Sequence, residues 1–475
     1  MEKIKPWQIG VLMLVLLGLL YFGQAYWETW KNESSASTTP DETSDFLSDS
    51  LWADFDDLDR AVACIDSVAK ADSIRRVRED SIRRVRYDSV RRVRKDSMRQ
   101  VQYDSLMQQL ADSIRQDSVA AESMAVSSPT IHYIKNGRLV LDSIFAGSDT
   151  CAVRVVHYGD SQIEEDRMSV SLRRYLQKRY GGGGVGILPL HQTVPTRTIR
   201  QKLMMNDEPQ RPKGGPKRYL VYGPKAMRRD TTLYGPMGQV AVMDDSLVAG
   251  SEDIIWTAET RHKKKTEYYF SRAHIWGTRD SLVFLPDSTN FVSLHLKGEQ
   301  EIYGISLETP TGVQVDNIPM RGCSGYIFCQ IDSAQLERYY RETNTRLIIL
   351  QFGGNMMPHI DSEKNVNAYV WEMRRHVQYL KRLAPRAVLL FIGPSDMCRM
   401  KEGVWQTYEM LPVLDVALRR MAKKEDICYW SLYEAMGGAG SMYEWMQTGK
   451  ACQDGVHFTP QGADIAGEML WKWMQ

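Results

Sequence analysis

Residues 152–162 have the sequence AVRVVHYGDSQ, and a helix-like segment, residues 165–180, follows them almost directly. The apolar first part of this run predicts a buried strand, and the glycine and aspartate after it are typical turn residues. A strand that ends in a tight turn and enters a helix leaves the turn residue, Ser161, at the carboxyl edge of a sheet. Helix N-terminal amide groups can face a developing negative charge there. Ser161 is therefore a candidate nucleophile.

Two polar blocks further along the chain supply groups that would activate a serine. The segment 353–355 (GGN) ends an apolar run, and the segment 454–457 (DGVH) lies near the C-terminus. A serine hydroxyl is hardly ionised at neutral pH and needs a base, which His457 can provide. Asp454 can fix the imidazole tautomer and stabilise the imidazolium. Alone, His457 would be interpreted as a helix cap and Asp454 as a turn residue. The combination of the three blocks favours a catalytic triad.

Acyl transfer also requires N–H groups that point at the oxyanion. The backbone N–H of Ser161 is one candidate, and the side-chain amide of Asn355 is a second. A backbone N–H in the loop 321–325 (RGCSG) is expected to be the third, with Gly325 preferred over Gly322.

Together these blocks resemble the SGNH, or GDSL-like, hydrolase superfamily. The corresponding residues are GDS at Ser161, the block-two glycine at Gly325, GxN at Asn355, and DxxH at Asp454 and His457. The resemblance covers about residues 151–190 and 311–475. It implies a flavodoxin-like α/β/α sandwich and Ser-His-Asp chemistry without a metal or other cofactor.

The subgroup is indicated by Gln162, which stands where lipases of this superfamily usually have leucine. The segments 159–167 (GDSQIEEDR) and 393–396 (GPSD) resemble extracytoplasmic enzymes that handle O-acetyl groups on glycans. This implies a serine acetylesterase acting on an O-acetylated cell-wall or extracellular polysaccharide, with peptidoglycan favoured. An O-acetyltransferase with the same residues is one alternative, and a non-catalytic glycan-binding tether is another. The sequence does not indicate the oligomeric state.

The globular part of the chain begins near residue 131. The hydrolase domain is predicted over residues 131–194 and 311–475, with strands at 347–352, 387–392 and 427–432 and a last helix from about 461.

Residues 195–310 contain β-like runs separated by turns and predict an inserted β-sandwich or jelly-roll domain. These runs are residues 239–243, 268–275, 281–285, 290–296 and 302–308. Carbohydrate binding is one hypothesis for this insert.

The N-terminus, residues 1–30, predicts a transmembrane signal anchor. Lys3 and Lys5 precede the apolar run 9–22, and aromatic residues follow where an interfacial belt would lie. A cleaved signal peptide is the alternative. The lysines place the remainder of the chain outside the cytoplasm. We therefore expect a single-pass protein of the cytoplasmic (inner) membrane with its catalytic domain in the periplasm.

Two further segments separate this anchor from the globular part. Residues 31–70 are acidic and predict a flexible linker. Residues 71–130 carry an eight-residue repeat (DSIRRVRE, DSIRRVRY, DSVRRVRK) in which Asp precedes Arg by three or four positions, as in charged helices. Eight residues advance a helix by about 80° beyond two turns, so the apolar stripe winds round it. A single-helix spacer is favoured over a coiled coil.

Composition excludes several other functions. The net charge of +1 argues against nucleic acid as a partner. The seven cysteines show no CxxC or metal-ligand spacing, which argues against a disulfide framework and leaves one bond, Cys323 with Cys329, open. The glycines of residues 181–186 spell GxGxxG after a helix-like segment, where a nucleotide loop is not expected. They predict a flexible loop beside the catalytic cleft.

Overall fold

The computed structural model describes residues 134–475 except 136, 206–207, 210–214, 229–233, 245–253 and 262–267. The predicted signal anchor, linker and octapeptide repeat lie outside the described residues. Within the described part of the chain, no helix has the length and apolar composition needed to span a membrane. Residues 128–475 form one compact unit.

The β-strands of the described residues are β1 (Ile134–Lys135), β2 (Arg138–Leu139), β3 (Ala152–Gly159), β4 (Gly184–Leu188), β5 (Ile199–Met205), β6 (Glu208–Pro209), β7 (Lys217–Leu220), β8 (Gln239–Met243), β9 (Ile254–Thr260), β10 (Phe270–Gly277), β11 (Ser281–Thr289), β12 (Phe291–His295), β13 (Gln300–Glu308), β14 (Gly312–Pro319), β15 (Thr345–Gln351), β16 (Val388–Ile392), β17 (Cys398–Lys401), β18 (Val404–Thr407) and β19 (Cys428–Trp430). The α-helices are α1 (Leu141–Ile144), α2 (Arg167–Tyr180), α3 (Ser333–Glu342), α4 (Glu363–Leu383), α5 (Leu411–Lys424), α6 (Leu432–Met436), α7 (Ser441–Gln447) and α8 (Pro460–Met474).

The centre of the molecule is a parallel sheet of five strands in the order β14-β3-β15-β16-β19. Numbered along the chain, this order is 2-1-3-4-5, as in flavodoxin-like folds. The prediction of an α/β fold with a parallel sheet is therefore confirmed. Four of these strands were predicted from their apolar runs, whereas β14 was not.

Alternate residues of the interior strand β3 face two different apolar clusters, because successive side chains of a strand point to opposite faces. Val153 and Val155 belong to the cluster that contains Leu172 of α2 and Leu470 of α8. Val156 and Tyr158 belong to the cluster formed with α3, α4 and α5. Helices thus cover both faces of the sheet, and β3 is buried between them.

Antiparallel strands lie in the chain between α2 and β14. One sheet has the order β11-β10-β13-β8-β7, with β4 also paired to β13, and a second has the order β12-β9-β5-β6. Apolar side chains of both sheets, including Leu203, Trp256, Phe270 and Ile305, form one cluster between them. The first of these strands, β4, begins at Gly184, earlier than residue 195, at which the insert was predicted to start.

The antiparallel region shares a hydrophobic core with the parallel sheet. Trp276 and Tyr303, from β10 and β13, lie in the same apolar cluster as Tyr158 of β3. The Trp276 ring contacts the ring of Tyr339 of α3 edge-on, with 4.9 Å between centroids. The two regions are therefore packed together.

The prediction of a flexible loop over the glycine-rich run 181–186 is wrong for its second half, which lies in a buried strand. Residues 184–188 form β4, whose five residues are all buried. Gly184 and Gly186 both have φ of +77°, and a Cβ on either would collide with the neighbouring strands at Leu307 or Asp316. The glycines permit close backbone packing.

The six described cysteines, Cys323 and Cys329 included, are free. The bond left open between these two is therefore not formed. The Cys329 thiol instead lies 3.3 Å from Nδ1 of His376.

Candidate active site

Ser161 directly follows the turn at the carboxyl end of β3. It begins a 3₁₀ segment, Ser161–Asp166, and α2 starts at Arg167. The turn is held by Asp160, whose carboxylate accepts a hydrogen bond of 2.9 Å from the Gln162 backbone N–H. The chain connections on the two sides of β3 run to opposite faces of the sheet. In folds of this kind, ligands bind at that switch point, outside the carboxyl ends of the strands.

Ser161 is hydrogen-bonded to a histidine from the other end of the chain. Its Oγ lies 2.8 Å from Nε2 of His457. On the opposite edge of the ring, Nδ1 of His457 lies 2.7 Å from Oδ2 of Asp454. With the proton on Nδ1, the histidine can accept the serine proton at Nε2, which is the geometry that a nucleophile, a base and an orienting carboxylate require.

Asp454 is fixed by its own loop. Its second oxygen, Oδ1, accepts backbone N–H groups of Val456 and His457, each at 2.9 Å. Burial alone would raise the pKa of Asp454, but the hydrogen bonds from the His457 ring and from these two backbone groups outweigh it and lower the pKa to about 2. Asp454 is therefore ionised at neutral pH and can stabilise an imidazolium.

The structure brings Asn355 to the same edge of the sheet. Asn355 lies in a 3₁₀ segment that begins directly after Gly353, which has φ of +126°. Its side-chain nitrogen donates to Oδ2 of Asp160 and to the carbonyl oxygen of Cys323, both at 3.2 Å. The side-chain N–H groups of Asn355 thus already have partners next to Ser161.

The loop 321–325 also lies beside Asn355. Gly325 has φ of +96°, and a Cβ there would lie only 2.8 Å from the Phe352 ring, so glycine is required. Its N–H donates to Sγ of Cys323 at 3.3 Å. Gly322 has φ of +72° and open space around it. The crowding at Gly325 explains why this position needs a glycine. The open space at Gly322 gives no evidence for a role of that residue in the site.

Asp160 is a buried carboxyl group beside the nucleophile. Burial raises its pKa to about 6, although hydrogen bonds from Gln162 and Asn355 act in the opposite direction. Its contacts are those of a residue that holds the turn, and it has no contact with the His457 ring among its hydrogen bonds.

Gln162 has a role that the sequence did not reveal. Its Oε1 accepts the Phe458 N–H at 3.1 Å, and its Nε2 donates to the Val456 carbonyl at 2.9 Å and to Oγ of Ser395 at 3.2 Å. Val456 and Phe458 flank His457, so one side chain ties both backbone neighbours of the histidine to the residue after Ser161. The one sequence signal was the glutamine itself, at a position where lipases usually have leucine.

Within the described residues, no group of three or more His, Cys, Asp or Glu side chains is arranged to hold a metal ion.

Comparison with known proteins matches part of the chain to a family. Residues 298–465 match the model of the GDSL-like Lipase/Acylhydrolase family. The matched range contains Gly325, Asn355, Asp454 and His457, whereas Ser161 lies before it. Comparison with curated protein sequences gives no significant match.

Among solved structures, a peptidoglycan O-acetylesterase has a TM-score of 0.55 and 21% sequence identity, covering 70% of this chain and 93% of that chain. An acetyl xylan esterase has a TM-score of 0.27 and 13% identity over 34% of this chain and 80% of its own. A catalytic mutant of an acetylxylan esterase from Geobacillus stearothermophilus has a TM-score of 0.25 and 13% identity over 34% and 73%. The first likeness establishes a shared fold; the other two are too weak to add to it.

The match assigns residues 298–465 to a GDSL-like acylhydrolase domain, as the sequence predicted, and the protein is accordingly a carboxylic ester hydrolase. The solved structure adds the shared fold alone.

Proposed function

We propose that the protein is a serine esterase that removes O-acetyl groups from a polysaccharide of the cell wall, with peptidoglycan as the favoured substrate. The observation that carries this proposal is the continuous hydrogen-bond chain from Ser161 through His457 to Asp454. Such a chain is the arrangement in which a serine becomes nucleophilic.

In the proposed reaction, Oγ of Ser161 attacks the acetyl carbonyl carbon while Nε2 of His457 takes the hydroxyl proton. The tetrahedral intermediate collapses, the proton passes from His457 to the leaving sugar oxygen, and acetyl-Ser161 remains. His457 then takes a proton from water, and the hydroxide attacks the acetyl group. Acetate leaves, and the proton returns to Ser161.

The oxyanion of each tetrahedral intermediate would be stabilised by N–H groups of Ser161, Gly325 and Asn355. Gly325 and Asn355 donate to Sγ and to the carbonyl oxygen of Cys323 in the structure. Each therefore has to exchange a bond to Cys323 for one to the oxyanion. Such an exchange is expected of oxyanion donors, which align fully only when substrate is bound.

The choice of an O-acetylated glycan is supported by the GDSQ form of the serine block and by the fold shared with a peptidoglycan O-acetylesterase. A periplasmic location, with residues 1–30 as a membrane anchor, would bring the enzyme to this polymer and is part of the proposal.

The test is acetate release by the full chain from O-acetylated peptidoglycan and from a chromogenic acetyl ester, each with and without an acceptor glycan. We expect release from both substrates and none above background with Ser161→Ala. Transfer of acetyl groups to the acceptor in place of release would make the protein an acetyltransferase. Binding of polymer without turnover of either ester would make it a glycan-binding tether.

A further inference from the structure

A cavity of about 410 Å³ lies beside the segment that follows Ser161. One wall is formed by Glu164 and by Arg321, and the opposite wall comes from β4, β5, β7 and β8 of the antiparallel region. Ser161 begins the first segment, and Arg321 begins the loop that carries Gly325. The cavity therefore borders the segment that begins at Ser161 and the loop that carries Gly325. Its volume lies within the range of about 300–1,000 Å³ typical of small-molecule sites.

The cavity wall carries three acidic side chains, Glu164, Glu165 and Asp166, and three basic ones, Arg173, Arg218 and Arg321, so its formal charges sum to zero. Arg321 pairs with Glu164 at 2.6 Å, and Arg173 pairs with Asp166 at 2.5 Å. Arg218 donates to the carboxamide oxygen of Gln239 at 2.9 Å. A charged ligand would have to disrupt such contacts and pay the associated desolvation. The wall therefore favours a neutral ligand.

One polar side chain of the wall is different. Gln201, on β5, lines the cavity, and neither the oxygen nor the nitrogen of its buried carboxamide has a hydrogen-bond partner. A buried amide without partners is unfavourable, so a ligand that offers one acceptor and one donor would gain by pairing with it. Apolar side chains, among them Val185 and Leu188, line the same cavity.

These features together match an acetamido group. Its carbonyl oxygen accepts a hydrogen bond, its N–H donates one, and its methyl group is apolar. We propose that the cavity binds a neutral N-acetylated sugar unit of the glycan next to the unit whose ester is cleaved. This inference rests on the proposed function, because it assigns the cavity to the same polymer.

The test is binding of triacetylchitotriose and cellotriose to the full chain, measured by calorimetry. The two oligosaccharides share a β-1,4-linked glucose-type backbone. At C2 of each unit, triacetylchitotriose has an acetamido group and cellotriose has a hydroxyl group. We expect triacetylchitotriose to bind and cellotriose to bind at least tenfold more weakly. Gln201→Leu should weaken triacetylchitotriose binding about five- to thirty-fold, the effect of losing one or two well-placed interactions. Lys202→Leu, the exposed next residue on the other face of β5, should not weaken it.

A second pair of variants tests the cavity by its shape. Val194 lines it and the neighbouring Pro195 is exposed, so Val194→Trp should abolish binding and Pro195→Trp should not. Equal affinity for both sugars, or unchanged binding in Gln201→Leu and Val194→Trp, would overturn the inference. Acetate release by the wild-type chain is measured alongside. Release without saccharide binding would leave the proposed function intact and refute the cavity assignment. Binding without release would do the reverse.

Discussion

Gln162 shows how a single side chain can fix the position of His457, the proposed catalytic base. Its two hydrogen bonds to the backbone on either side of His457 fix the histidine relative to Ser161. Gln162→Leu keeps the bulk but loses both bonds. We expect kcat to fall on the order of 10²-fold, because a displacement of about 1 Å can cost this much, while KM changes little.

The control for this prediction is Ser395→Ala, which removes only the third contact of Gln162, at 3.2 Å. Steady-state kinetics on a chromogenic acetyl ester should show kcat close to wild type for this variant. A raised KM with unchanged kcat in Gln162→Leu would assign Gln162 to substrate binding.

Asp160 makes stability depend on pH. Its pKa is about 6 in the folded chain because it is buried, against an ordinary value of 3.8. The folded state then binds the proton more tightly than the unfolded state, so stability falls as pH rises from about 4 to about 6. A shift of this size corresponds to roughly 2–3 kcal/mol. Asp160→Asn cannot ionise and should lack this contribution.

The measurement is the free energy of unfolding in urea at several pH values for both chains. The difference in stability, Asp160→Asn minus wild type, should increase by that amount between pH 4 and pH 7. Parallel pH profiles would show that Asp160 does not titrate in this range.

At the scale of strands, a buried ion cluster joins the parallel sheet to the antiparallel region. Arg154 of β3 bonds Asp316 of β14 at 2.8 Å and also pairs with Glu308 of β13. Arg154→Met would leave two buried carboxylates without this partner. We expect a loss of about 3–5 kcal/mol in the free energy of unfolding, measured in urea.

The matched control is Lys472→Met, which removes an exposed pair with Glu468. Its effect should stay within about 0.5 kcal/mol. Equal losses in the two variants would mean that the buried cluster adds nothing to the attachment of the antiparallel region.

The same cluster explains why some strands were predicted and one was not. The apolar run 347–352 predicted β15, because both faces of this strand are buried under helices and its residues are therefore apolar. In β14 (GVQVDNIP) the sequence alternates with Gln314 and Asp316, which are fully buried. Gln314 bonds the nearby Thr309, but Arg154 and Ile187, which bond Asp316, come from distant parts of the chain, and a local pattern cannot show them.

The candidate site also contains residues that the sequence could predict and one that it could not. Ser161, Asp454 and His457 could be recognised because each stands in a short block with its own turn residues. The role of Gln162 could not be recognised, because its partners Val456 and Phe458 lie 294 and 296 residues further along the chain. Only the folded chain brings them together.

At the scale of the whole chain, residues 31–130 are predicted to act as a linker and spacer without a part in catalysis. A chain that starts at Thr130 should be soluble and hydrolyse a chromogenic acetyl ester at the full rate, because residues 128–475 form a compact unit of their own. In cells, deleting whole octapeptides should reduce deacetylation of wall polymer while leaving hydrolysis of a soluble ester unchanged. An inactive truncated enzyme would refute the spacer hypothesis.

The position of β3 between β14 and β15 has a consequence for biosynthesis. Both neighbours of β3, β14 and β15, follow the antiparallel region in the chain, so β3 leaves the ribosome long before it has a partner to pair with. Pairing across such separations is slow to form. His457 emerges later still, 296 residues after Ser161. A nascent chain that stops short of residue 454 therefore carries Ser161 without Asp454 and His457.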